Sequence, residues 1–180
     1  MKTVNLYTDG ACANNQSSTN IGGWGTVLEY GENVKTLHGG RRNTTNNVME
    51  LMAVIEGLKA LKSTDLKINI FSDSAYVVNC FNQQWYQKWR MNGWINSSKK
   101  PVENKELWVE LIDLVESFKD IDFYRVKGHL TVGTKDFHKW HEKFNKQFGV
   151  VTKEFYTHLV NRNNEADALA NKGVDEVRES

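Results

Sequence analysis

The fold of this chain is first indicated by an eight-residue stretch near its beginning, Thr3-Val4-Asn5-Leu6-Tyr7-Thr8-Asp9-Gly10. Apolar or β-branched residues occupy every second position from Val4 to Thr8, which is the period of a β-strand. Gly10 then allows the chain to turn at once. We therefore expect a strand that ends on the carboxylate of Asp9, with Asp9 at its end rather than inside a ladder.

A second stretch has the same design, Leu66-Lys67-Ile68-Asn69-Ile70-Phe71-Ser72-Asp73. Between the two stretches, the capping residues at 44–47 open a helix whose apolar positions run at helical spacing from Leu51 to Leu61. A strand, a helix and a second strand predict a right-handed crossover between parallel neighbours. Asp9 and Asp73 should then lie at the same sheet edge, where open α/β sheets place their sites.

The remaining patterns complete one α/β domain on a mixed sheet, residues 1–180. Residues 22–30 and 34–38 read as two strands of an antiparallel meander that starts with the first strand. Further elements are expected as follows: short helix 74–81, amphipathic helix 104–118, fifth strand 122–126 and terminal helix 163–172.

Composition sets broad limits on the kind of protein. The chain is 39% apolar and 25% charged, with a net charge of +1, which is ordinary for a globular domain. Cys12 and Cys80 form neither a disulfide framework nor a metal-ligand spacing, so a reducing compartment is expected. No stretch has the length and apolarity of a membrane span or a signal segment. We expect a cytoplasmic monomer without membrane contact.

Four acidic residues are candidates for one site: Asp9, Glu50, Asp73 and Asp167. Each also has an ordinary structural explanation. Asp9 and Asp73 could be turn or cap residues, Glu50 could complete a capping box, and Asp167 could be a first-turn helix residue. Carboxylates held close together repel one another, and a divalent cation removes that conflict. All-oxygen ligands favour Mg²⁺ or Mn²⁺, and pairs of such ions serve phosphoryl transfer.

Several motifs, in order, resemble type 1 ribonuclease H. They are Tyr7-Thr8-Asp9-Gly10-Ala11-Cys12, Thr44-Thr45-Asn46-Asn47-Val48-Met49-Glu50-Leu51, Ser72-Asp73-Ser74, Lys127-Gly128-His129 and Asn164-Glu165-Ala166-Asp167-Ala168-Leu169-Ala170. A tryptophan-rich segment at about 83–101 resembles the family's basic handle. The resemblance implies a ribonuclease H-like fold, with a five-stranded mixed sheet of order 3-2-1-4-5 flanked by helices.

The resemblance also implies an activity, namely two-metal-ion hydrolysis of the RNA strand of an RNA–DNA hybrid, leaving 5′-phosphate and 3′-hydroxyl ends. By position, Asp9 would bridge two Mg²⁺ ions, for which Mn²⁺ could substitute. Asp167 would hold the ion that activates water, with Glu50 and Asp73 on the leaving-group side. His129 resembles a mobile histidine that assists proton transfer and product release.

The family's nucleic-acid contacts carry over to a larger set of residues. Short amides suit the RNA minor groove, a polar pair would grip a DNA phosphate, and basic and aromatic residues would bind the DNA strand. These residues are Asn15, Asn46 and Asn47, then Thr45 and Asn104, then Lys88, Trp89, Arg90, Trp94, Lys99 and Lys100. Among the tryptophans of the handle, Trp85 is expected to be buried, and Trp94 or Trp89 exposed.

One segment departs from the family, because His129 and Asp167 are separated by an insertion at about 130–160. Phe137, Trp140, His141, Phe144 and Phe148 form one helical stripe, and Lys139, Lys143 and Lys146 form another. A second helix is predicted at 152–160. The lysines could contact the hybrid as a basic lid or could simply be solvated. The insertion also leaves open whether His138, His141 or His158 approaches the site instead of His129.

Three rival functions differ in what they require. A polymerase-associated domain would have the same active site as a free-standing ribonuclease H. A non-catalytic hybrid-binding protein would not need four clustered acids. A junction-resolving nuclease would not need the handle or the asparagines. Comparison of hybrid, double-stranded RNA and branched DNA as substrates separates them.

Overall fold

The computed structural model describes residues 1–13 and 20–180, and in this part of the chain the centre is a five-stranded mixed sheet. Its strands are β1 (Lys2–Ala13), β2 (Ile21–Tyr30), β3 (Asn33–Arg42), β4 (Leu66–Ser72) and β5 (Asp120–Arg125). The order is β3-β2-β1-β4-β5, with antiparallel pairing among the first three and parallel pairing of β1 with β4 and of β4 with β5. The predicted sheet and its order are confirmed.

The position of Asp9 within β1 differs from the prediction. Pairing of β1 with β4 stops at Thr8 and Ser72, but pairing with β2 continues as far as Ala13. Asp9 faces Gly25 and is therefore inside a ladder, because β2 extends beyond the end of β4. Its carboxylate still lies just past the last parallel pair, at the edge where β4 ends.

Six helices are present in the described residues. They are α1 (Asn46–Lys59), α2 (Ala75–Asn82), α3 (Trp85–Met91), α4 (Lys105–Ser117), α5 (Lys135–Phe148) and α6 (Lys153–Glu179). None of them combines the length and apolarity that a crossing of the bilayer would need.

Helix α6 corrects the prediction of two separate helices at 152–160 and 163–172. It is one helix of 27 residues whose buried face runs without a break through Tyr156, Asn163, Ala170 and Val174. No glycine or proline lies between the two predicted segments, so nothing interrupts the backbone hydrogen bonds. The insertion therefore leads directly into the helix that carries Asp167.

The two larger hydrophobic cores lie on opposite faces of the sheet. Leu6, Ile68 and Ile70 pack beneath α1 and α4, whereas Tyr7 and Phe71 pack beneath α5 and α6. This division follows from the alternation of side chains along a strand. In the first core Trp108 is fully buried at 0% exposure.

The tryptophans of the handle are not divided as predicted. Trp85, Trp89 and Trp94 are all half-buried, and each packs against the edge of the first core. Trp89 lies 5.5 Å from Trp108 and 5.8 Å from Trp94, between ring centroids. The three rings pack against one another at tilted angles, and none of them is fully buried or fully exposed.

Glu29 joins the insertion to the sheet. It is 9% exposed and accepts hydrogen bonds from Tyr7 Oη at 2.9 Å, His158 Nε2 at 2.6 Å and Arg162 Nε at 2.8 Å. Burial raises the pKa of the Glu29 carboxyl, but the hydrogen bonds from Arg162, His158 and Tyr7 outweigh it, so the pKa is lowered. Two of these three donors belong to α6, so the contact fixes that helix on β2.

We expect Glu29→Gln to destabilise the protein by about 2 kcal/mol at neutral pH, because charge-assisted hydrogen bonds to a buried group are lost. A carboxyl whose folded-state pKa is lowered stabilises the fold above its unfolded pKa and loses that contribution as the pH falls through the folded-state value. The difference in free energy of unfolding between the variant and the wild type, from urea titrations, should therefore shrink below the usual Glu pKa of 4.5.

The matched control is Glu165→Gln, which removes an exposed partner of the same arginine at 2.9 Å. It should change the free energy of unfolding by less than about 1 kcal/mol. Equal effects of the two substitutions would contradict the role given to Glu29.

Candidate active site

An open cavity of about 550 Å³ lies at the end of the β1–β4 pairing and gathers the four acids named from the sequence. Asp9 comes from β1, Glu50 from α1, Asp73 from the residue after β4, and Asp167 from the middle of α6. The same cavity is lined by Gly10, Ala11, Cys12, Asn46, Asn47, Ser74, Ala75, Tyr76, His129 and Asn171. Four elements distant in sequence thus deliver carboxylates to one place.

Glu50 does not complete a capping box, and Asp167 is not a first-turn helix residue, so these two structural explanations are wrong. Thr45 caps α1 by accepting a hydrogen bond from the Val48 amide at 3.2 Å, so Glu50 lies beyond the position a capping box would use. Asp167 lies far from either end of α6 and gains nothing from the helix dipole. Neither carboxylate is required for the formation of the helix that carries it.

Asp9 and Glu50 are buried together, with 8% and 4% of their surfaces exposed. The Gly10 amide donates to Asp9 Oδ1 at 2.9 Å and also to Glu50 Oε1. Burial, and then the neighbouring Asp167, raise the pKa of Asp9 to about 7. Burial and the charge of Asp9 raise the pKa of Glu50 well above its usual value. The fold therefore holds two adjacent carboxyls whose charged forms their burial disfavours.

The donor set fits a hard divalent cation. Glu50 Oε2 and Asp73 Oδ1 are buried and have no hydrogen-bond partner within the described residues, which is costly unless something else binds them. All the candidate donors are carboxylate oxygens, the ligands that Mg²⁺ and Mn²⁺ prefer. Among residues 1–13 and 20–180, no three His, Cys, Asp or Glu side chains yet converge on one point. An ion would have to draw these carboxylates together.

Asp73 is positioned by Arg125 of β5 and by Gly128 in the loop that follows this strand. The Arg125 Nε donates to the Asp73 carbonyl at 3.1 Å, and its Nη2 lies 3.9 Å from Asp73 Oδ1. At Gly128 an added Cβ would lie 2.6 Å from Asp73 Oδ2, so a larger residue would displace the carboxylate. Arg125 is not among the residues predicted for the site, although its position near the end of the predicted fifth strand was a usable signal; in the structure it pairs with Ser72, the residue before Asp73.

His129 is the histidine at the cavity. Its side chain is 75% exposed, and Nδ1 lies 3.8 Å from Asp167 Oδ2. The alternatives from the insertion lie elsewhere: His141 contacts the Val151 carbonyl at 2.9 Å, and His158 contacts Glu29. His138 is exposed on α5, beside Phe137.

Four of the five predicted RNA or phosphate contacts line two cavities of the structure. Asn46 and Asn47, at the start of α1, line the acidic cavity itself. Thr45 and Asn104 line a separate groove of about 610 Å³, together with basic Arg41 and Lys105 among others. Asn15 lies outside the described residues.

The handle has fewer free charges than its sequence indicated. Arg90 forms a two-pronged ion pair with Glu116, at 2.9 and 2.6 Å, so its charge is already compensated. Lys88, Lys99 and Lys100 are exposed. The Lys105 ammonium lies 5.7 Å from the centre of the Trp94 ring, and Trp94 packs against Trp89.

The sheet order and the carboxylates around its end define the class of protein as ribonuclease H-like, a fold that solved ribonuclease H structures share. LC9-RNase H1, described as a type 1 RNase H with the type 2 active-site motif, superimposes with a TM-score of 0.64 at 26% identity, over 94% of this chain and 86% of that one.

Sequence comparison then identifies the family. Residues 1–175 match the family model of RNase H. "Ribonuclease H" of Symbiobacterium thermophilum is 48% identical over 132 residues, which are 73% of this chain and 86% of that protein. "Ribonuclease H" of Clostridium botulinum strain Hall is 49% identical over 129 residues, 72% of this chain and 85% of that protein. The chain belongs to the ribonuclease H family, whose members generally use divalent metal ions.

We expect Gly128→Ala to weaken the affinity of the site for Mg²⁺ by roughly tenfold, because the new methyl group displaces the Asp73 carboxylate and ligand geometry governs affinity. Isothermal titration with MgCl₂ measures this change. Asp73→Asn is the comparison variant and should weaken binding at least as much. Wild-type affinity in Gly128→Ala, with Asp73→Asn impaired, would show that the contact does not position Asp73.

Proposed function

We propose that this protein is an endonuclease that hydrolyses the RNA strand of RNA–DNA hybrids by two-metal-ion catalysis, leaving 5′-phosphate and 3′-hydroxyl ends. The observation that carries the proposal is the set of four carboxylates around one cavity, two of them with a buried oxygen that has no hydrogen-bond partner among the described residues. Membership of the ribonuclease H family and relatives named "Ribonuclease H" support it.

Asp9, Glu50, Asp73 and Asp167 would hold two Mg²⁺ ions, with Mn²⁺ as a possible substitute. When bound, such a pair supplies activation of the attacking water and neutralisation of charge at the leaving oxygen. Asp9, which interacts with both Glu50 and Asp167, would contact both ions. Asp167 would contact the ion on the water side, and Glu50 and Asp73 the ion on the leaving-group side. The Gly10 amide keeps Asp9 and Glu50 adjacent for this purpose.

His129 would move protons at the rim of the site. Its exposure leaves the imidazole free to reach solvent, while the 3.8 Å separation from Asp167 keeps it beside the carboxylate on the water side. Histidine is suited to accept and release protons near neutral pH. We assign it to proton transfer and product release.

The recognition of RNA would fall to the asparagines beside the acids. Asn46 and Asn47 line the cavity, where their amides can donate to and accept from 2′-hydroxyl groups in a shallow minor groove. Asn15 is assigned to the same role from the sequence pattern. Thr45 and Asn104, in the neighbouring groove with Arg41 and Lys105, would bind a phosphate of the DNA strand.

The handle, about 83–101, would bind the backbone of the DNA strand. Its exposed Lys88, Lys99 and Lys100 supply positive charge, and Trp89 and Trp94 supply aromatic surface. Arg90 contributes less than the sequence suggested because Glu116 neutralises it. We assign residues 1–180 to a single catalytic domain that includes the insertion at about 130–160.

The same proposal makes the protein a cytoplasmic monomer. Both cysteines are free, and Cys80 is buried, which is consistent with a reducing compartment.

We expect Asp9→Asn to reduce hybrid cleavage by at least about 1,000-fold, because the change keeps the side-chain shape but removes the charge that both ions require. Cleavage of a hybrid labelled on the RNA strand, in MgCl₂ or MnCl₂, measures this. Double-stranded RNA and branched DNA serve as comparison substrates and should remain intact.

The variant must stay folded and still bind the hybrid, as judged by circular dichroism and fluorescence anisotropy. Wild-type protein that binds hybrid tightly but does not cleave it would indicate a binding protein instead. Full activity of Asp9→Asn would place the site elsewhere.

We expect His129→Ala to lower kcat on the hybrid by about 10- to 100-fold, less than loss of an acid, because proton transfer can proceed through water at a lower rate. His138→Ala is the matched control, an exposed histidine on α5, and should leave kcat unchanged. A larger loss in His138→Ala than in His129→Ala would reverse the assignment.

A further inference from the structure

Trp140 of α5 is surrounded by positive charge. The Lys143 ammonium lies 4.3 Å from the centre of its ring, that of Lys127 5.6 Å, that of Lys139 5.9 Å, and the Arg125 guanidinium carbon 6.0 Å. Lys139 and Lys143 are exposed, and Trp140, Arg125 and Lys127 are half-buried. We call these five residues the Trp140 cluster.

The cluster departs from the pattern of separate stripes on α5. Two separate stripes would leave the lysines on a different face of the helix from the aromatic residues. Phe137 and Phe144 are indeed buried, but Trp140 is only half-buried, and two of the lysines lie over its ring. The ring holds several cations together that would otherwise repel one another.

The cluster adjoins the acidic cavity through Arg125. This residue lies over the Trp140 ring and also contacts Asp73, so its guanidinium spans the distance between the two. Lys127 stands two residues before His129, in the loop that lines the same cavity. A long polyanion placed in the cavity would therefore extend over the cluster.

The two basic and aromatic surfaces lie on opposite faces of the sheet. The handle packs against the core beneath α1 and α4, whereas Trp140 packs against the core beneath α5 and α6. The carboxylates lie at the end of the sheet between these faces. Duplex nucleic acid carries about one negative charge per 1.7 Å of its axis, so a bound duplex presents phosphates on both sides of the scissile bond.

We propose that the Trp140 cluster is a second backbone-binding site, which takes phosphates of the RNA–DNA hybrid on the side of the active site away from the handle. This inference rests on the proposed function and adds to it a binding site in the inserted segment. The lysines and Arg125 contact phosphate oxygens, and the indole ring holds their side chains in place. Lys139 and Lys143 of the cluster affect affinity for the hybrid and leave the chemical step unchanged.

The test uses the double variant Lys139→Gln/Lys143→Gln, because glutamine removes the charge and keeps most of the side-chain length. We expect hybrid affinity at physiological salt to fall by about tenfold, and the slope of log K against log[salt] to become shallower by about 1.5 to 2, one increment per lost phosphate contact. In the cleavage assay KM rises and kcat stays within about twofold.

The matched control is Lys146→Gln/Lys153→Gln, which removes the same charge from exposed positions near the junction of α5 and α6. It should leave the affinity within about twofold and the salt slope unchanged. Equal effects of the two double variants, or no effect of either, would overturn the proposal. Deletion of the insertion is unsuitable, because Phe137 and Tyr156 are part of the core.

The role of the ring is tested by Trp140→Leu. All four cations remain, so the salt slope should stay at the wild-type value, while affinity falls about two- to fivefold as the cation–π contacts are lost. If wild-type protein cleaves the hybrid and the lysine variant binds it normally, the proposal for the Trp140 cluster is overturned and the proposed function stands. If the wild type neither binds nor cleaves the hybrid, the proposed function fails first.

Discussion

Helix α6 lies so close to β2 that only glycine fits beneath it. An added Cβ at Gly23 would lie 2.0 Å from the Ala170 carbonyl oxygen, and one at Gly25 would lie 2.3 Å from that of Ala166. This approach brings the middle of α6 across the sheet and sets Asp167 beside Asp9. It also places the first turns of α6 over β2, where His158 and Arg162 reach Glu29. The fourth acid and the anchoring of the insertion therefore depend on the same close packing.

The acidic cavity concentrates a free-energy cost that the rest of the fold must offset. Asp9 and Glu50 are buried side by side; burial raises the pKa of both carboxyls, and the charge of Asp9 raises the pKa of Glu50 further. Buried like charges destabilise a folded chain unless a proton or a cation intervenes. Two separate cores, one on each face of the sheet, supply the compensating burial of apolar surface. Such a local conflict inside a well-packed fold is characteristic of a functional site.

Positive charge is arranged around this acidic end in two different ways. In the handle, Glu116 neutralises the charge of Arg90, and three lysines are exposed beside the half-buried tryptophans. In the Trp140 cluster, a single ring collects four cations, one of which also contacts Asp73. The net charge of +1 conceals this separation of acidic and basic surfaces. A polyanion would be attracted by the flanks and repelled by the carboxylates, and a divalent cation at the acids would remove that repulsion.

Sequence patterns and family motifs were enough to predict the strands, most helices, the sheet order and the four acids that line one cavity. Period-2 and period-3.6 patterns are local, and a carboxylate at the end of a strand can be read from neighbouring residues. The place of Asp9 inside a ladder could not be predicted in this way, because it depends on how far β2 extends beyond β4. Tertiary contacts also make α6 continuous, bury Trp108 completely while Trp85 is only half-buried, and join Asp73 to Trp140 through Arg125. These features arise from contacts between residues distant in the chain, and no local periodicity encodes such contacts.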